Sequence, residues 1–203
     1  MKNIFTTFLS FVCAITAFAQ TGTLEVQLID LGTGNNVAVE GVTLEVLNST
    51  DQVVFSTIYS GNGSYTISDL PINEPLRFRA LGGDYQGGGP QSNVSTFDMV
   101  LMAKSILGVD PLNDPYKFLG SDVNEDGMLS TLDLIWMRRV VLYIDDAFPA
   151  QPSIIFVNQD YGFNDPNNPF SEATAASTVS FTLTQAGDLA SANMYVVKKG
   201  HVN

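Results

Sequence analysis

The sequence predicts an α+β multidomain chain, with a β-sandwich at the N-terminus, a pair of helices in the centre and a short β segment at the C-terminus. Three observations predict this class. Apolar and polar side chains alternate with a period of two through much of residues 21–81, which is typical of half-buried strands. Two ten-residue segments beginning at Ser95 and Ser130 share a helical spacing of apolar residues and match each other at an offset of thirty-five. Strand-like segments then return after residue 147.

These patterns divide the chain into five segments. The predicted bounds are 1–19 for a signal peptide, 20–81 for the sandwich, 82–93 for a Gly-rich linker, 94–146 for the helical module and 147–203 for a C-terminal β extension.

The first nineteen residues have the features of a secretory signal peptide. Lys2 gives a positive start, residues 4–15 are mainly apolar, and Ala17-Phe18-Ala19 matches a cleavage site. The apolar run is too short to span a membrane. We therefore expect a secreted protein of the periplasm, cell surface or medium, with no membrane segment after cleavage. The cleaved chain loses Cys13, so its stability cannot depend on disulfides, and metal ions are a plausible substitute.

The charge of the chain excludes two classes of partner. Cleavage leaves eight basic against twenty-one acidic residues, a net charge of −13. Nucleic acids and anionic membranes are bound through basic patches, so we expect neither as a partner. A strongly acidic chain is compatible with divalent cations.

Five short strands separated by turn residues are predicted in residues 20–81, in segments 24–28, 42–46, 53–59, 65–67 and 76–80. Asn62-Gly63 is a strong signal for a tight hairpin. This spacing of strands is typical of an immunoglobulin-like sandwich. The segment SGNGSYTISDLP, residues 60–71, resembles a hallmark of carboxypeptidase regulatory-like β-sandwich modules. That resemblance implies a non-catalytic, prealbumin-like domain.

The segment DVNEDGMLSTLD, residues 122–133, has the spacing of a calcium loop. Calcium takes six to eight oxygen ligands, and oxygen-bearing side chains occupy loop positions 1, 3, 5, 9 and 12, with glycine at position 6. Gly127 permits a sharp turn with positive φ. The predicted Ca²⁺ ligands are Asp122, Asn124, Asp126, the Met128 carbonyl, Ser130 directly or through water, and Asp133. The alternative is an Asx-rich turn that only caps the following helix.

The repeated helical segments are similar to the dockerin family over residues 94–146, because each places an aspartate at position 12 with no entering helix. The resemblance implies an F-hand, in which two calcium loop-helix halves are related by near two-fold symmetry and bind a cohesin partner. It also implies which positions recognise that partner. These are Thr131, Leu132, Arg138 and Arg139 in the second half, and Thr96, Phe97 and Lys104 in the first. Alternatively, Arg138 and Arg139 form a solvated helix face or lie near a helix C-terminus as favourable cations.

The first half departs from the family pattern. Counting back from Asp98 places Gly87, Gly89 and Gln91 where carboxylates or amides belong. The sequence therefore predicts a weak or absent first site, with Asp84, Asn93, Ser95 and Asp98 as its candidate ligands.

Strands are predicted again at 154–157, 178–183 and 194–198. The end of the chain, VVKKGHVN, resembles the I-K-x-G-D-V-N sequence that closes such modules in longer proteins, with His201 in place of aspartate.

Catalysis is not expected, because His201 is the single histidine and the cleaved chain has no cysteine, so common nucleophile–base pairs and zinc sites cannot form. The predicted function is a non-catalytic calcium-binding module for protein–protein docking or surface assembly, with a cohesin-like or other surface protein as partner, in a polysaccharide-degrading context. One alternative is a structural or adhesive fragment of a larger cell-surface protein with internally packed helices. Another is carbohydrate binding by the sandwich, with Tyr59, Tyr65 or Phe78 as stacking platforms.

Overall fold

The computed structural model describes residues 20–87 and 92–203. The predicted signal peptide and residues 88–91 of the predicted linker lie outside the described residues. The described chain forms two four-stranded sheets and four short helices. The strands are β1 Thr21–Asp30, β2 Ala38–Leu47, β3 Val53–Asn62, β4 Ser64–Pro71, β5 Pro75–Tyr85, β6 Ile154–Asn158, β7 Thr178–Thr182 and β8 Leu189–Lys198. The helices are α1 Thr96–Ile106, α2 Pro115–Ser121, α3 Thr131–Val141 and α4 Ala173–Ala176, with a 3-10 turn at Pro169–Glu172.

The strand order is β4-β1-β8-β6 in one sheet and β3-β2-β5-β7 in the other. β1 and β8 pair in parallel, and the other neighbouring strands pair antiparallel. Side chains on alternate positions of the strands form one apolar core between the sheets. Leu24, Val26 and Leu28 of β1 are buried there, as the period-two pattern predicts.

The sheets differ from the predicted division into a sandwich at 20–81 and a separate β extension at 147–203. β8 lies between β1 and β6, and β7 pairs with β5, so the C-terminal strands complete both sheets. The physical reason is the apolar face of β8, where Ala192, Met194 and Val196 are buried in the same core as β1. The helical module is therefore inserted between β5 and β6 of one sandwich.

The sequence predicted a tight hairpin at Asn62-Gly63. The structure contradicts this prediction, because β3 and β4 do not pair with each other. β3 pairs with β2 in one sheet, while β4 pairs with β1 in the other. Gly63, at φ 145°, is the single residue between the two strands. The chain therefore passes from one sheet to the other at Gly63.

A second apolar cluster lies beneath the helices. Met102 of α1 and Met137 of α3 are fully buried in it, together with Val123, Phe148 and Val202. Each helix therefore buries its apolar side against residues outside itself. The sequence did not predict α2, which begins at Pro115 with the Asp114 side chain accepting a hydrogen bond from the Tyr116 amide at 2.8 Å. No helix among the described residues has the length and apolar character that crossing a bilayer requires.

Candidate functional site

The segment 122–133 joins α2 to α3 and is folded around Asp122. This side chain is 6% exposed, and its two carboxylate oxygens accept hydrogen bonds from the Asp126 amide at 3.1 Å and the Gly127 amide at 2.9 Å. The loop can turn so tightly because Gly127 has φ 85°, with nothing within 4 Å of an added Cβ. Glu125 also has a positive φ, 56°. The predicted role of Gly127 is confirmed.

Asn124 and Asp126 continue the turn. The Asn124 Oδ1 accepts from the Asp126 amide at 3.3 Å, and its Nδ2 donates to Asp126 Oδ2 at 2.9 Å. Asp126 Oδ1 accepts from the Met128 amide at 3.2 Å. The side chains at loop positions 1, 3 and 5 therefore each stabilise the backbone of the loop.

Asp133 connects the start of the loop to the start of α3. It is fully buried, and its Oδ1 accepts from the Val123 amide at 3.0 Å. Its Oδ2 accepts from the amide and hydroxyl of Ser130 at 2.8 and 3.1 Å, and the Ser130 hydroxyl oxygen accepts from the Leu132 amide. These bonds form a capping box. The capping hypothesis and the calcium-ligand hypothesis both expect Ser130 and Asp133 at the start of α3.

The loop concentrates negative charge. Burial raises the pKa of Asp122 above its ordinary value, the Gly127 amide opposes the rise, and the charge of Asp133 adds to it. Burial likewise raises the pKa of Asp133, against the hydrogen bonds from Ser130 and with a contribution from Asp126. The ionised forms of both carboxyl groups are therefore less favourable here than in water.

The ligand atoms are not gathered around one point. Within residues 20–87 and 92–203, no three His, Cys, Asp or Glu side chains form a group that could hold a metal ion. Asp126 and Met128 are exposed on the outer side of the loop, whereas Asp122 and Asp133 are buried. An ion held by all six predicted ligands would require Asp126 to turn inward from its bond with Asn124.

The candidate ligands of the first half are dispersed. Asp84 lies on β5, where its Oδ1 accepts from the buried Lys198 Nζ at 2.9 Å, and Asn93 is exposed at φ 62°. Ser95 and Asp98 form a second capping box, with Asp98 Oδ2 accepting from the Ser95 amide and hydroxyl at 2.9 and 2.7 Å. Of the four candidate ligands, Ser95 and Asp98 are the two that these hydrogen bonds bring together.

The other oxygen of Asp98 binds the last two residues of the sequence. Asp98 Oδ1 accepts from the Val202 amide at 2.8 Å and from the Asn203 amide at 3.0 Å. Asp98 is as fully buried as Asp133, and Val202 is as fully buried as Val123. The segment 201–203 therefore contacts the start of α1 as the segment 122–124 contacts the start of α3. Sequence reasoning missed this, although Val-Asn occurs in both segments.

His201 corresponds to Asp122 when the two segments are compared, since each residue directly precedes a Val-Asn pair. Its Nδ1 lies 3.6 Å from Asp98 Oδ1, beyond hydrogen-bonding distance. This Nδ1 is buried and has no hydrogen-bond partner among the described residues. The first half thus contains an imidazole where the second half contains a carboxylate.

The residues assigned to partner recognition lie on the outer sides of α1 and α3. Thr96, Phe97, Thr131, Leu132 and Arg138 are exposed. Apolar exposure recurs at the offset of thirty-five: Phe97 and Val100 on α1 match Leu132 and Ile135 on α3.

Two of the assigned cations have partners within the module. Arg139 pairs with Asp145 and lies over the Trp136 ring at 5.6 Å. Lys104 lies 3.5 Å from Asp110.

Lys199 contacts the loop, which the sequence did not predict. Its side chain is fully buried, pairs with Glu125 and donates to the Ala150 carbonyl at 3.2 Å. The sequence feature that could have indicated this contact is the Lys198-Lys199 pair at the end of a strand, because successive side chains of a strand point to opposite sides.

The aromatic residues suggested for carbohydrate stacking are parts of the core. Phe78 is fully buried, so it cannot be a stacking platform, and that part of the prediction is wrong. Tyr59 and Tyr65 are half-buried against the core and pack edge to face, with ring centroids 5.4 Å apart.

Comparisons with known proteins leave the family of this chain open. No protein-family model matches the chain. No curated protein matches it. Among solved structures, it is similar to a bacterial adhesin from Mobiluncus mulieris containing intramolecular disulfide, isopeptide and ester bond cross-links. The TM-score is 0.26 at 5% identity, over 87% of this chain and 40% of the adhesin chain. A likeness at this score carries no argument about function.

Proposed function

We propose that this protein is a secreted, non-catalytic module that binds a calcium ion in the loop 122–133 and associates with another surface protein through the outer sides of α1 and α3. The observation that carries the proposal is the arrangement of carboxylate and amide side chains within this loop. Asp122, Asn124 and Asp126 are held at alternate positions of one turn, and Asp133 of α3 is bonded to the same loop through the Val123 amide.

The physical argument is one of linkage. Burial raises the pKa values of Asp122 and Asp133, and the neighbouring carboxylates, Asp133 and Asp126 for Asp122 and Asp126 for Asp133, add to the rise. An ion that binds the folded loop and not the unfolded chain stabilises the fold, by about 2.7 kcal/mol when calcium exceeds the dissociation constant about 100-fold. Oxygen-only ligands favour calcium over softer metals.

Calcium titration by calorimetry of the cleaved chain tests this proposal. We expect one binding event per chain, abolished by Asp122→Asn and unchanged by Asp160→Asn, which makes the same change of charge at an exposed position. Heat of binding that is equal in both variants, or absent from the wild type, would refute the calcium proposal.

The docking part of the proposal is supported by the large apolar side chains that are exposed at matching positions of α1 and α3. The dockerin resemblance suggests a cohesin-like or other surface protein, in a polysaccharide-degrading context. Leu132→Asp tests this surface, because it alters an exposed side chain and leaves the buried side of α3 intact. We expect wild-type protein to retain a stoichiometric partner from the native secretome, and the variant to lose it.

A second candidate function is a structural element of an adhesive surface protein, with no partner at the helices. It is favoured by the contacts that join the helical module to the segment following β8, between Asp98 and Val202 and between Glu125 and Lys199. Failure of wild-type protein to capture a partner, with calcium binding retained, would favour this function.

A further inference from the structure

Two consecutive buried lysines lie at the end of β8, and one contacts the sandwich whereas the other contacts the loop 122–133. Lys198 donates to Asp84 at 2.9 Å and to Ser153 at 3.0 Å, within the sandwich. Lys199 pairs with Glu125, at loop position 4. Their side chains are 1% and 0% exposed, respectively. A buried ammonium is costly unless it is paired, so each of these contacts is needed for its lysine to be accommodated.

Lys199 also shares a cavity with the loop. The cavity has a volume of about 300 Å³ and is lined by Asp122, Glu125, Gly127 and Lys199, among others. The Lys199 ammonium pairs with Glu125 and donates to the Ala150 carbonyl. Of the ion pairs formed by the described residues, the Lys199 pair is the one that reaches the loop.

We propose that Lys199 is an internal counter-cation of the loop 122–133, which holds the loop folded without a metal and sets its affinity for calcium. The inference rests on the proposed calcium site. A fixed positive charge beside the carboxylates offsets part of their repulsion, so the loop stays folded when no ion is bound. The same charge repels an incoming divalent cation, which lowers its affinity.

The position of Lys199 also connects the loop to the sandwich. The residue follows β8 directly, and the next residue, Gly200, donates from its amide to the Gly120 carbonyl at 2.7 Å. Gly120 packs closely on this segment, because an added Cβ would lie 3.1 Å from the Lys198 carbonyl oxygen, a tight contact. Stabilisation of the loop is therefore transmitted to β8, and calcium should raise the melting temperature of the strands as well as that of the helices.

Calcium calorimetry and thermal melting of four proteins test the inference: wild type, Lys199→Met, Lys199→Arg and Lys198→Met. Lys199→Met should bind calcium about tenfold more tightly, because a unit charge is removed from the vicinity of the ion. It should also melt at a lower temperature without calcium and gain more from calcium than wild type does. Lys199→Arg should resemble wild type. Lys198→Met, a matched loss of a buried lysine, should be destabilised with unchanged calcium affinity.

The outcomes separate this inference from the proposed function. If wild type binds calcium and Lys199→Met binds it no more tightly than Lys198→Met does, the role of Lys199 is refuted and the calcium site stands. If only Lys199→Met binds calcium, the counter-cation is supported and the native calcium function is refuted. Absence of binding in both refutes both. Should Lys199→Met be unfolded without calcium, refolding by calcium, followed by circular dichroism, supports the inference, and failure to refold overturns it.

Discussion

The Asp98 carboxylate is expected to be the strongest single polar contact between the helical module and the end of the sequence. Asp98→Asn keeps the size of the side chain, but an amide can accept at only one of its two ends. It must then lose either the Ser95 bonds of the capping box or the bonds from Val202 and Asn203. Loss of a cap costs about 1 kcal/mol. Each buried N–H left without an acceptor costs about 1–3 kcal/mol.

We therefore expect Asp98→Asn to lower the free energy of unfolding by about 3 kcal/mol, given these contributions. For a chain of this size, that corresponds to a fall in melting temperature of about 6–12 °C. The assay is urea unfolding followed by fluorescence of Trp136, the single tryptophan, which packs against the helical core.

A double-mutant cycle with a chain that ends at residue 201 identifies the cause. The truncation removes both donors that bind Asp98 Oδ1, so it should cost about 1–2 kcal/mol less in the Asp98→Asn background than in wild type. Asp133→Asn is the matched control, because its carboxylate makes the same capping box but bonds to Val123. Its effect should add to that of the truncation. Additivity for Asp98→Asn as well, within about 0.5 kcal/mol, would refute the reasoning.

Two predictions concern pH and have opposite signs. Burial raises the pKa values of Asp122 and Asp133, so without calcium their ionisation destabilises the fold. Stability without calcium should fall as pH rises from the ordinary aspartate pKa through the raised values, and saturating calcium should abolish this fall in melting experiments. Glu172 has a lowered pKa, because the amides of Asn164 and Asp165 donate to it. Its contribution is present above the ordinary glutamate pKa and is lost as pH falls through the lowered value. NMR shifts of the Asn164 amide should report that loss, and should stay constant in Glu172→Gln.

Local patterns predicted the strands well because each strand's alternation is set by its own neighbours in sequence. The segment 24–28 lies within β1, and 194–198 lies within β8. The parallel pairing of these two strands was not predictable in this way, because nothing in either segment specifies a partner so distant along the chain. The helix α2 could have been predicted. Asp114-Pro115 is a typical start signal, with an N-cap aspartate and proline at the first helical position.

The two helix starts show where sequence reasoning about the site succeeds and where it fails. The contacts of Asp133 come from residues within the preceding loop, so counting along the chain finds them. Counting back from Asp98 in the same way leads to glycines and Gln91, because the equivalent contact comes from Val202 and Asn203, which follow β8 and lie 104 and 105 residues further along the chain. The dipeptide alone would not have identified Val202-Asn203, because Val-Asn also occurs at Val157-Asn158.

His201 stands where the other half of the helical repeat has Asp122, and this difference makes the two halves chemically unequal. Asp122 carries two oxygens that organise the loop, whereas His201 presents a nitrogen that lies 3.6 Å from Asp98 and makes no hydrogen bond among the described residues. Asp98 is already satisfied by Ser95 and by the two amides of the chain end. Asp133 is bonded to peptide N–H groups in the same way, so the difference between the two halves lies in His201, which offers no carboxylate oxygen where Asp122 offers two. On this argument, calorimetry should find one calcium ion per chain and not two, even though the helices themselves are repeated.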